Sequence, residues 1–183
     1  DPTPNPLWSD VMLHDFLLEA LHRYGARFPL QQTETASASG GELLLPVAGP
    51  VSARDIVRVR TPNGDLLPVA VEGERTPGWS FWNGALVLAA PATPGNWQID
   101  YLTMHQLPPD DVTPITIPDD DIEIVVLLAA SSALLRRSVE TGKRGLDTSS
   151  LALVRVAEAY ERGAEALIRA RFRRAVGGYV RAH

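Results

Sequence analysis

Three consecutive aspartates, Asp119, Asp120 and Asp121, form the densest cluster of ionisable side chains in this chain. Carboxylate oxygens suit Ca²⁺ and Mg²⁺, so the cluster could in principle hold a hard cation. Its spacing does not match the Asp-x-Asp-x-Asp-Gly pattern of calcium loops. Aspartates at the start of a helix also accept from free backbone N–H groups and meet the positive end of the helix dipole. We therefore predict a helix cap and no metal site.

The histidines offer little for metal or acid–base chemistry. His14 and His22 are eight residues apart, whereas a helical zinc pair needs a four-residue step, so we predict flank positions on a packed helix. Ser80, His105 and Asp100 could be combined into a hydrolytic triad, but no Gly-x-Ser-x-Gly nucleophile elbow is present. We predict no catalytic residue, no cofactor and no enzymatic activity.

Two further patterns have both a binding and a structural interpretation. The stretch from Gly142 to Gly145 lacks the leading glycine and preceding strand of a phosphate loop, so we interpret it as a turn between helices. Trp79, Trp82 and Trp97 could form a platform for sugars or anchor a protein partner. The same residues could fill the core of a small sheet, which alternation favours for Trp79 and Trp97.

Arginines dominate the end of the chain. Residues 1–150 have a net charge of −9 and residues 151–183 a net charge of +4, which indicates an acidic partner for the C-terminal segment, either a protein face or nucleic acid. Part of this charge is explained by ion pairs along one helix face, at three- and four-residue steps. Those pairs would involve Arg155, Arg162 and Arg169 with Glu158 and Glu165.

A second group of arginines has no such neighbours in sequence: Arg171, Arg174 and Arg181. A helix C-terminus favours one or two cations, and the surplus predicts contact with phosphates or another acidic surface. Together with two neighbours, the candidate contact residues are Arg169, Arg171, Arg173, Arg174 and Arg181.

Composition sets the limits for the elements that position these residues. The chain of 183 residues, 45% hydrophobic, is long enough for a globular domain with a subdomain. The absence of cysteine excludes disulfides and thiolate metal sites. The longest apolar stretch, residues 122–135, is shorter than the roughly 20 residues that span a bilayer. We predict no membrane contact, and the first residues, without Met or a signal segment, suggest a processed or trimmed end.

Three helices are predicted. Ser9 or Asp10 caps the first, which runs to about Phe28 and is ended by Pro29. Its apolar stripe comprises Leu13, Phe16, Leu17, Ala20, Leu21 and Tyr24. The second begins at the aspartates and runs to about Thr141, with Gly142 as C-cap, and the third runs from residues 147–149 to about Val176.

Between the first two helices the apolar period changes to two, which predicts an antiparallel meander of about five or six strands. Its turns are marked at residues 61–64 and, most strongly, by Asn83-Gly84. Residues 31–39 are polar and predict either an edge strand or a flexible arm; the candidate arm residues are Gln31, Thr33, Ser37, Gly40 and Gly41.

The predicted fold is therefore α+β: a helical core, made of the N-terminal helix and a C-terminal helical hairpin, with an inserted antiparallel β-meander subdomain. We place the N-terminal helix at residues 1–29, the β subdomain at 30–105, a proline-rich linker at 106–118, and the hairpin with its basic tail at 119–183.

In order and texture the chain resembles the head–tail connector or adaptor proteins of the neck of tailed bacteriophages. The resemblance rests on three segments that together span nearly the whole chain: the opening helix from Trp8 to Pro29, the β-rich insertion ending in Ile99-Asp100-Tyr101, and Ile117-Pro118-Asp119-Asp120 with its following helix and an arginine-bearing last helix. None of these segments is a catalytic signature. The β insertion is larger than in compact all-helical members.

The resemblance implies a structural virion protein without enzymatic activity. Such a protein forms a homo-oligomeric ring below the portal protein, extends the DNA channel, and docks the next neck or tail component. Its location would be the virion neck, and the host cytoplasm during assembly, with transient contact to packaged DNA through the surplus arginines. An alternative is a carbohydrate- or partner-binding module of a tail or cell-surface protein, which would use the tryptophans of the β subdomain.

Overall fold

The computed structural model describes residues 7–50, 52–71, 77–110 and 112–180, with side chains described as far as residue 173. The chain divides into two compact units. A helical unit contains residues 1–28 and 105–183, and a β unit contains residues 29–104. The fold is α+β, with the helical hairpin and β insert that the sequence predicts, and the unit boundaries differ from the predicted 30–105 by one residue at each end.

Helix α1 comprises Asp10–Gly25 and begins as the sequence predicts. Ser9 is its N-cap, and the Ser9 side chain accepts a hydrogen bond of 3.3 Å from the Met12 amide. Such a bond satisfies one of the amides that the first helical turn leaves without a partner. The helix ends three residues before the predicted Phe28.

The C-terminal hairpin is made of α2, Ile122–Lys143, and α3, Asp147–Val180, and a short 3₁₀ turn, Asp119–Asp121, precedes α2. The predicted C-cap is wrong, because Gly142 lies inside α2. Gly145 instead takes the left-handed conformation after it, with φ +75°. The helix α3 also continues past the predicted end at Val176, through Gly177 and Gly178.

The core of the helical unit joins α1, α2 and the second half of α3, together with the segment before α2. It comprises Phe16, Ala20, Leu21, Tyr24, Ile117, Ile124, Val125, Leu128, Ala129, Ala133, Ala164 and Ile168. Four of the six residues of the predicted α1 stripe are in this core. Leu13 and Leu17 stay exposed near the start of α1. The predicted proline-rich linker contributes to the same core, since Ile117 is buried and Leu107 packs against the cluster.

The described part of the β unit contains seven strands, β1 Leu30–Ala38, β2 Leu44–Pro46, β3 Ile56–Arg60, β4 Leu66–Leu67, β5 Trp79–Trp82, β6 Ala85–Leu88 and β7 Gly95–Thr103. They form two antiparallel sheets, ordered β1-β7-β3-β4 and β2-β6-β5. The sequence predicts a meander of five or six strands, whereas β7 returns to pair between β1 and β3. Only β3–β4 and β5–β6 pair with the next strand along the chain.

The predicted turns and core of the β unit are present. Asn83 and Gly84 both have positive φ, 49° and 73°, as a two-residue hairpin turn requires. The Gly64 amide donates to the Thr61 carbonyl at 2.9 Å. The core comprises Ala36, Ala38, Leu45, Val47, Ile56, Val59, Trp79, Leu86, Leu88, Ala92, Trp97 and Ile99.

The segment with two interpretations in sequence is an edge strand. All nine residues of β1 pair with β7, from Leu30 opposite Thr103 to Ala38 opposite Gly95. Gln31, Thr33 and Ser37 are therefore strand residues, and Gly40 and Gly41 form the following turn with positive φ. The structure shows this strand in place of the expected flexible arm, because the side of β1 that faces β7 is paired along its full length.

Among the described residues, none of the helices is both long and apolar enough to cross a membrane.

Replacement of Gly49 by alanine is expected to destabilise the β unit. Its backbone amide donates to Glu34 at 2.8 Å, and a methyl group at this position would overlap the ring of Tyr101. Because Tyr101 is buried and hydrogen-bonded to Gln32, we expect Gly49→Ala to lower the free energy of unfolding by about 1–3 kcal/mol.

Gly142→Ala is the matched control, since its added methyl group would make only an ordinary contact with Ser150 at 3.4 Å. It should leave stability unchanged or raise it by up to about 1 kcal/mol, as expected for glycine in a helix. Urea unfolding of both variants measures the difference, and equal stability of Gly49→Ala and the unmodified protein would contradict the packing described.

Candidate functional site

The most constrained polar group in the helical unit is the carboxylate of Asp121. Its residue is only 3% exposed, and a buried carboxylate is costly unless it is paired and hydrogen-bonded. The Tyr24 hydroxyl of α1 donates to Asp121 Oδ2 at 2.5 Å, and the Arg171 guanidinium of α3 forms an ion pair with the same oxygen. One carboxylate thus connects α1, the start of α2 and the distal part of α3.

This arrangement corrects two predictions, one about the aspartates and one about Arg171. The aspartates do not cap α2 through their side chains: no capping hydrogen bond is formed at Pro118 or Asp121, and Asp119 and Asp120 are exposed. Asp121 turns inward because Arg171 and Tyr24 offer it stronger donors than the exposed amides of the first turn. Among the described residues no group of three or more potential ligands could hold a metal ion.

Arg171 is the second correction, since the sequence shows no partner for it. Besides its ion pair with Asp121, its guanidinium lies 4.5 Å from the centroid of the Phe28 ring, within the range of a cation–π interaction. Phe28 is in turn 4.8 Å from Phe172, ring centre to ring centre. Arg171 is therefore a structural residue of the helical unit and is not available as a free contact for phosphates.

A buried histidine extends this network. His105 packs against Tyr24 with ring centres 5.2 Å apart, and its two ring nitrogens lie 2.9 Å from the Thr116 hydroxyl and 2.9 Å from the Phe28 carbonyl. Both ring nitrogens of His105 thus have hydrogen-bond partners within the fold. Its role in the fold is to join the segment before α2 to the end of α1.

The other two residues of the hypothetical triad, Asp100 and Ser80, lie in the β unit. The Asp100 carboxylate accepts from Thr33 at 2.7 Å and from Arg58 at 2.5 Å, and these bonds lower its pKa, the Thr33 bond first. Ser80 lies on the exposed side of β5. His14 and His22 are exposed on α1, as flank positions should be.

The tryptophans separate into core and surface. Trp79 and Trp97 are 3% and 4% exposed, and their indole N–H groups donate to the carbonyls of Leu67 and Thr93. Trp82, beside the tip of the β5–β6 hairpin, is 77% exposed. The prediction of a platform made of all three tryptophans is therefore wrong. Of these three, Trp82 is the one that a partner could contact.

The arginines of α3 pair differently from the predicted stripe. Glu161 and Glu165 point toward α1, where they form ion pairs with Arg23 and Arg27. Of the expected pairs within α3, the structure shows Glu158 with Arg162, at 3.8 Å. Arg169 and Arg173 are exposed, whereas the side chain of Arg174 and all of Arg181 lie outside the described residues.

Sequence reasoning missed a seven-residue repeat in α3. Alanine recurs at Ala152, Ala159 and Ala166, and arginine three residues after each, at Arg155, Arg162 and Arg169. A count of identities at a spacing of seven would have found it. All six residues are exposed on one side of the helix, opposite the side that packs on α2.

An apolar groove of about 510 Å³ lies on the helical unit where α1 begins. Its lining is almost entirely hydrophobic: Trp8, Leu13, Phe16, Leu17, Ala129, Ala130, Ala133, Leu134, Val156 and Tyr160. The groove explains the exposure of Leu13 and Leu17. None of these lining residues is charged, and Trp8 and Tyr160 are the two with a polar group, so the groove suits an apolar side chain rather than a polar substrate.

Comparison of this chain with models of known protein families, and with curated proteins, finds no match.

Removal of the Arg171 side chain should destabilise the helical unit. Arg171→Ala leaves the Asp121 carboxylate buried without its cation, so we expect the free energy of unfolding to fall by about 2–4 kcal/mol. Arg169→Ala, at an exposed position two residues earlier, should change it by less than about 0.5 kcal/mol. Chemical unfolding followed by circular dichroism compares the two, and equal effects would contradict the buried pair.

Alkaline pH should reveal the burial of Tyr24. Burial raises the pKa of its hydroxyl, opposed in part by Arg171. Because the folded-state pKa exceeds the unfolded value of about 10, the stabilisation is complete below that pH and is lost as pH rises through the folded-state value. Below pH 10 we expect the free energy of unfolding of the unmodified protein to exceed that of Tyr24→Phe by about 1.5–3 kcal/mol, the contribution of a hydrogen bond to a charged group.

Unfolding of both proteins in denaturant between pH 8 and pH 11 tests this expectation, since the other tyrosines titrate alike in the two. The difference in stability should hold constant to about pH 10 and then decrease. A difference that stays constant to pH 11 would show that Tyr24 titrates normally.

Proposed function

We propose that this chain is a head-to-tail adaptor of a tailed bacteriophage, a structural protein that forms a ring below the portal, extends the DNA channel and docks the next neck or tail component. The observation on which the proposal rests most is the amount of apolar surface on the helical unit. Its large exposed hydrophobic residues include Leu13, Leu17, Val126, Leu135, Val139, Leu146, Leu151, Val156 and Tyr160. Surface of this kind on a folded unit is typical of a protein that assembles.

The arrangement of the helices explains this exposure. At about 1.5 Å per residue, α3 is roughly 51 Å long and α1 roughly 24 Å. The core cluster that contains the buried residues of α1 takes its other members from Ile117, from α2 as far as Ala133, and from Ala164 and Ile168 of α3. The half of the hairpin nearer its turn, including Leu135, Val139 and Leu151, has no third helix over it among the described residues. A neighbouring molecule could supply that cover.

The residues with chemical potential also favour a structural role. Asp121, Arg171 and His105 are used inside the helical unit, and Asp100 is held by Thr33 and Arg58 in the β unit. The resemblance in segment order to neck adaptors supports the same proposal. It assigns the protein to the virion, between head and tail, and to the host cytoplasm during assembly.

The second candidate function is a carbohydrate- or partner-binding module, and Trp82 is the observation that favours it. This side chain is 77% exposed beside a tight hairpin tip, a position from which an aromatic ring can anchor a partner. With Trp79 and Trp97 in the core, a sugar site would rest on Trp82 alone.

Co-expression with the portal protein encoded in the same genome distinguishes the two functions. We expect the chain to co-purify with the portal and to appear in electron micrographs as a ring with a central opening. Trp82→Ala should leave this assembly intact. A chain that neither binds the portal nor forms rings, but binds glycans on an array in a manner abolished by Trp82→Ala, would overturn the adaptor proposal in favour of the module.

A further inference from the structure

The outer face of α3 presents a regular row of exposed arginines and alanines. We call this face the arginine row: Arg155, Ala159, Arg162, Ala166, Arg169 and Arg173, all of them exposed. Their alternating four- and three-residue steps keep them on a single line along the helix. A seven-residue period is the spacing at which one helix packs along another.

The inner face of α3 shows what this spacing does in the same helix. Ala157 and Ala164, also seven residues apart, are completely buried in the contact with α2. The Ser131 hydroxyl of α2 reaches the Ala157 carbonyl at 3.0 Å, because small side chains allow the two helices to approach closely. The arginine row repeats small residues at this interval on the opposite side, where no described element covers them.

The row also keeps an excess of positive charge. Glu161 and Glu165 are directed to Arg23 and Arg27 of α1, and Glu158 lies near Arg162 alone. Among the described residues, neither Arg155 nor Arg169 has a carboxylate within ion-pair distance. An acidic surface is therefore the complementary partner.

The same chain offers such a surface on the outer face of α1, which we call the acidic strip: Val11, Asp15, Leu18, Glu19 and His22. Val11 is 71% exposed, and it stands seven residues before Leu18. Asp15 and Glu19 lie beside these two apolar residues, with both carboxylates exposed. The strip thus presents apolar side chains at the spacing of Ala159 and Ala166, together with charges opposite to those of the row.

We propose that the arginine row of one copy binds the acidic strip of α1 in the next copy. Val11 and Leu18 would pack onto the alanines, while Asp15 and Glu19 would pair with arginines of the row. Because the two surfaces are different, the contact is head to tail, and such contacts form a ring when the rotation between neighbouring copies closes. The inference rests on the proposed ring and names the contact between its neighbours.

Two features favour a second copy over nucleic acid as the occupant. Phosphates bind to cations and gain nothing from alanines at every seventh residue. A helix with acidic and apolar side chains would use both the arginines and the alanines. The chain as a whole is acidic, with a net charge of −5, which opposes general attraction to DNA. A contact between two single helices is small, so pairs of free molecules should associate weakly.

Charge reversal tests the contact directly. One variant reverses the row, Arg162→Glu with Arg169→Glu; a second reverses the strip, Asp15→Arg with Glu19→Arg; a third combines all four changes. The control, Arg136→Glu with Asp65→Arg, alters two exposed charges elsewhere. Self-association is measured by analytical ultracentrifugation at low salt, at protein concentrations up to about 1 mM, where weak contacts are populated.

We expect each reversal to lower the association constant about tenfold or more, because like charges then face each other. The combined variant should regain an association constant within about threefold of that of the unmodified protein. An equal mixture of the two reversed proteins should also associate, more strongly than either reversed protein alone. The control should associate normally, and thermal melts should show that every variant is folded.

Three results would overturn the proposal: no self-association at any concentration, association unaffected by reversal of the row, or failure of the combined variant to regain it. If reversal of the row instead abolished binding to a 30-base-pair DNA duplex while self-association persisted, the row would be a nucleic-acid surface. If the row-reversed variant still formed rings with the portal, the adaptor function would be supported and this contact would be wrong.

If the protein associated through this contact but did not bind the portal, the contact would be supported and the adaptor function would be wrong.

Discussion

The helical unit depends on the pairing of one buried carboxylate. Asp121 cannot remain charged and out of water without donors, and its donors come from Tyr24, 97 residues earlier in the chain, and from Arg171 near the end of α3. Tyr24 and Arg171 are themselves placed by aromatic contacts with His105 and Phe28. The carboxylate therefore fixes how α1 and the distal part of α3 meet the start of α2, and this in turn sets which helix faces remain outside.

The ion pairs within the helical unit determine which charged side chains remain on its surface. The glutamates of α3 nearest to α1 are paired with Arg23 and Arg27, and Arg171 is held inward by Asp121. What remains outside on α3 is a line of arginines and alanines, and what remains outside on α1 is acidic and apolar. A molecule with two complementary faces on different helices is suited to repeat itself around an axis. The apolar groove and the uncovered half of the hairpin would offer further surface to other components of the proposed assembly.

Local sequence signals predicted local structure well. The Ser9 cap, the Asn83-Gly84 turn and the α+β division follow from rules that act over a few residues. Apart from misplaced helix ends, such as the C-cap predicted at Gly142, the wrong predictions concern partners far apart in the chain. Asp121 looks like a helix cap because its neighbours in sequence suggest one, and nothing in the spacing reveals Tyr24 or Arg171. The return of β7 between β1 and β3 is likewise set by packing rather than by turns. A comparison of the sequence with itself at a spacing of seven residues would have found the repeat in α3.

The most direct test of the account is a reconstruction by electron cryomicroscopy of the ring that we propose this protein forms on a portal. The account predicts that α1 of each copy lies along the outer face of α3 in its neighbour, with Asp15 and Glu19 beside Arg162 and Arg169, and with Arg171 still paired to Asp121 inside each copy. A ring in which that face of α3 lines the DNA channel or faces solvent, or in which Arg171 has left Asp121, would contradict it.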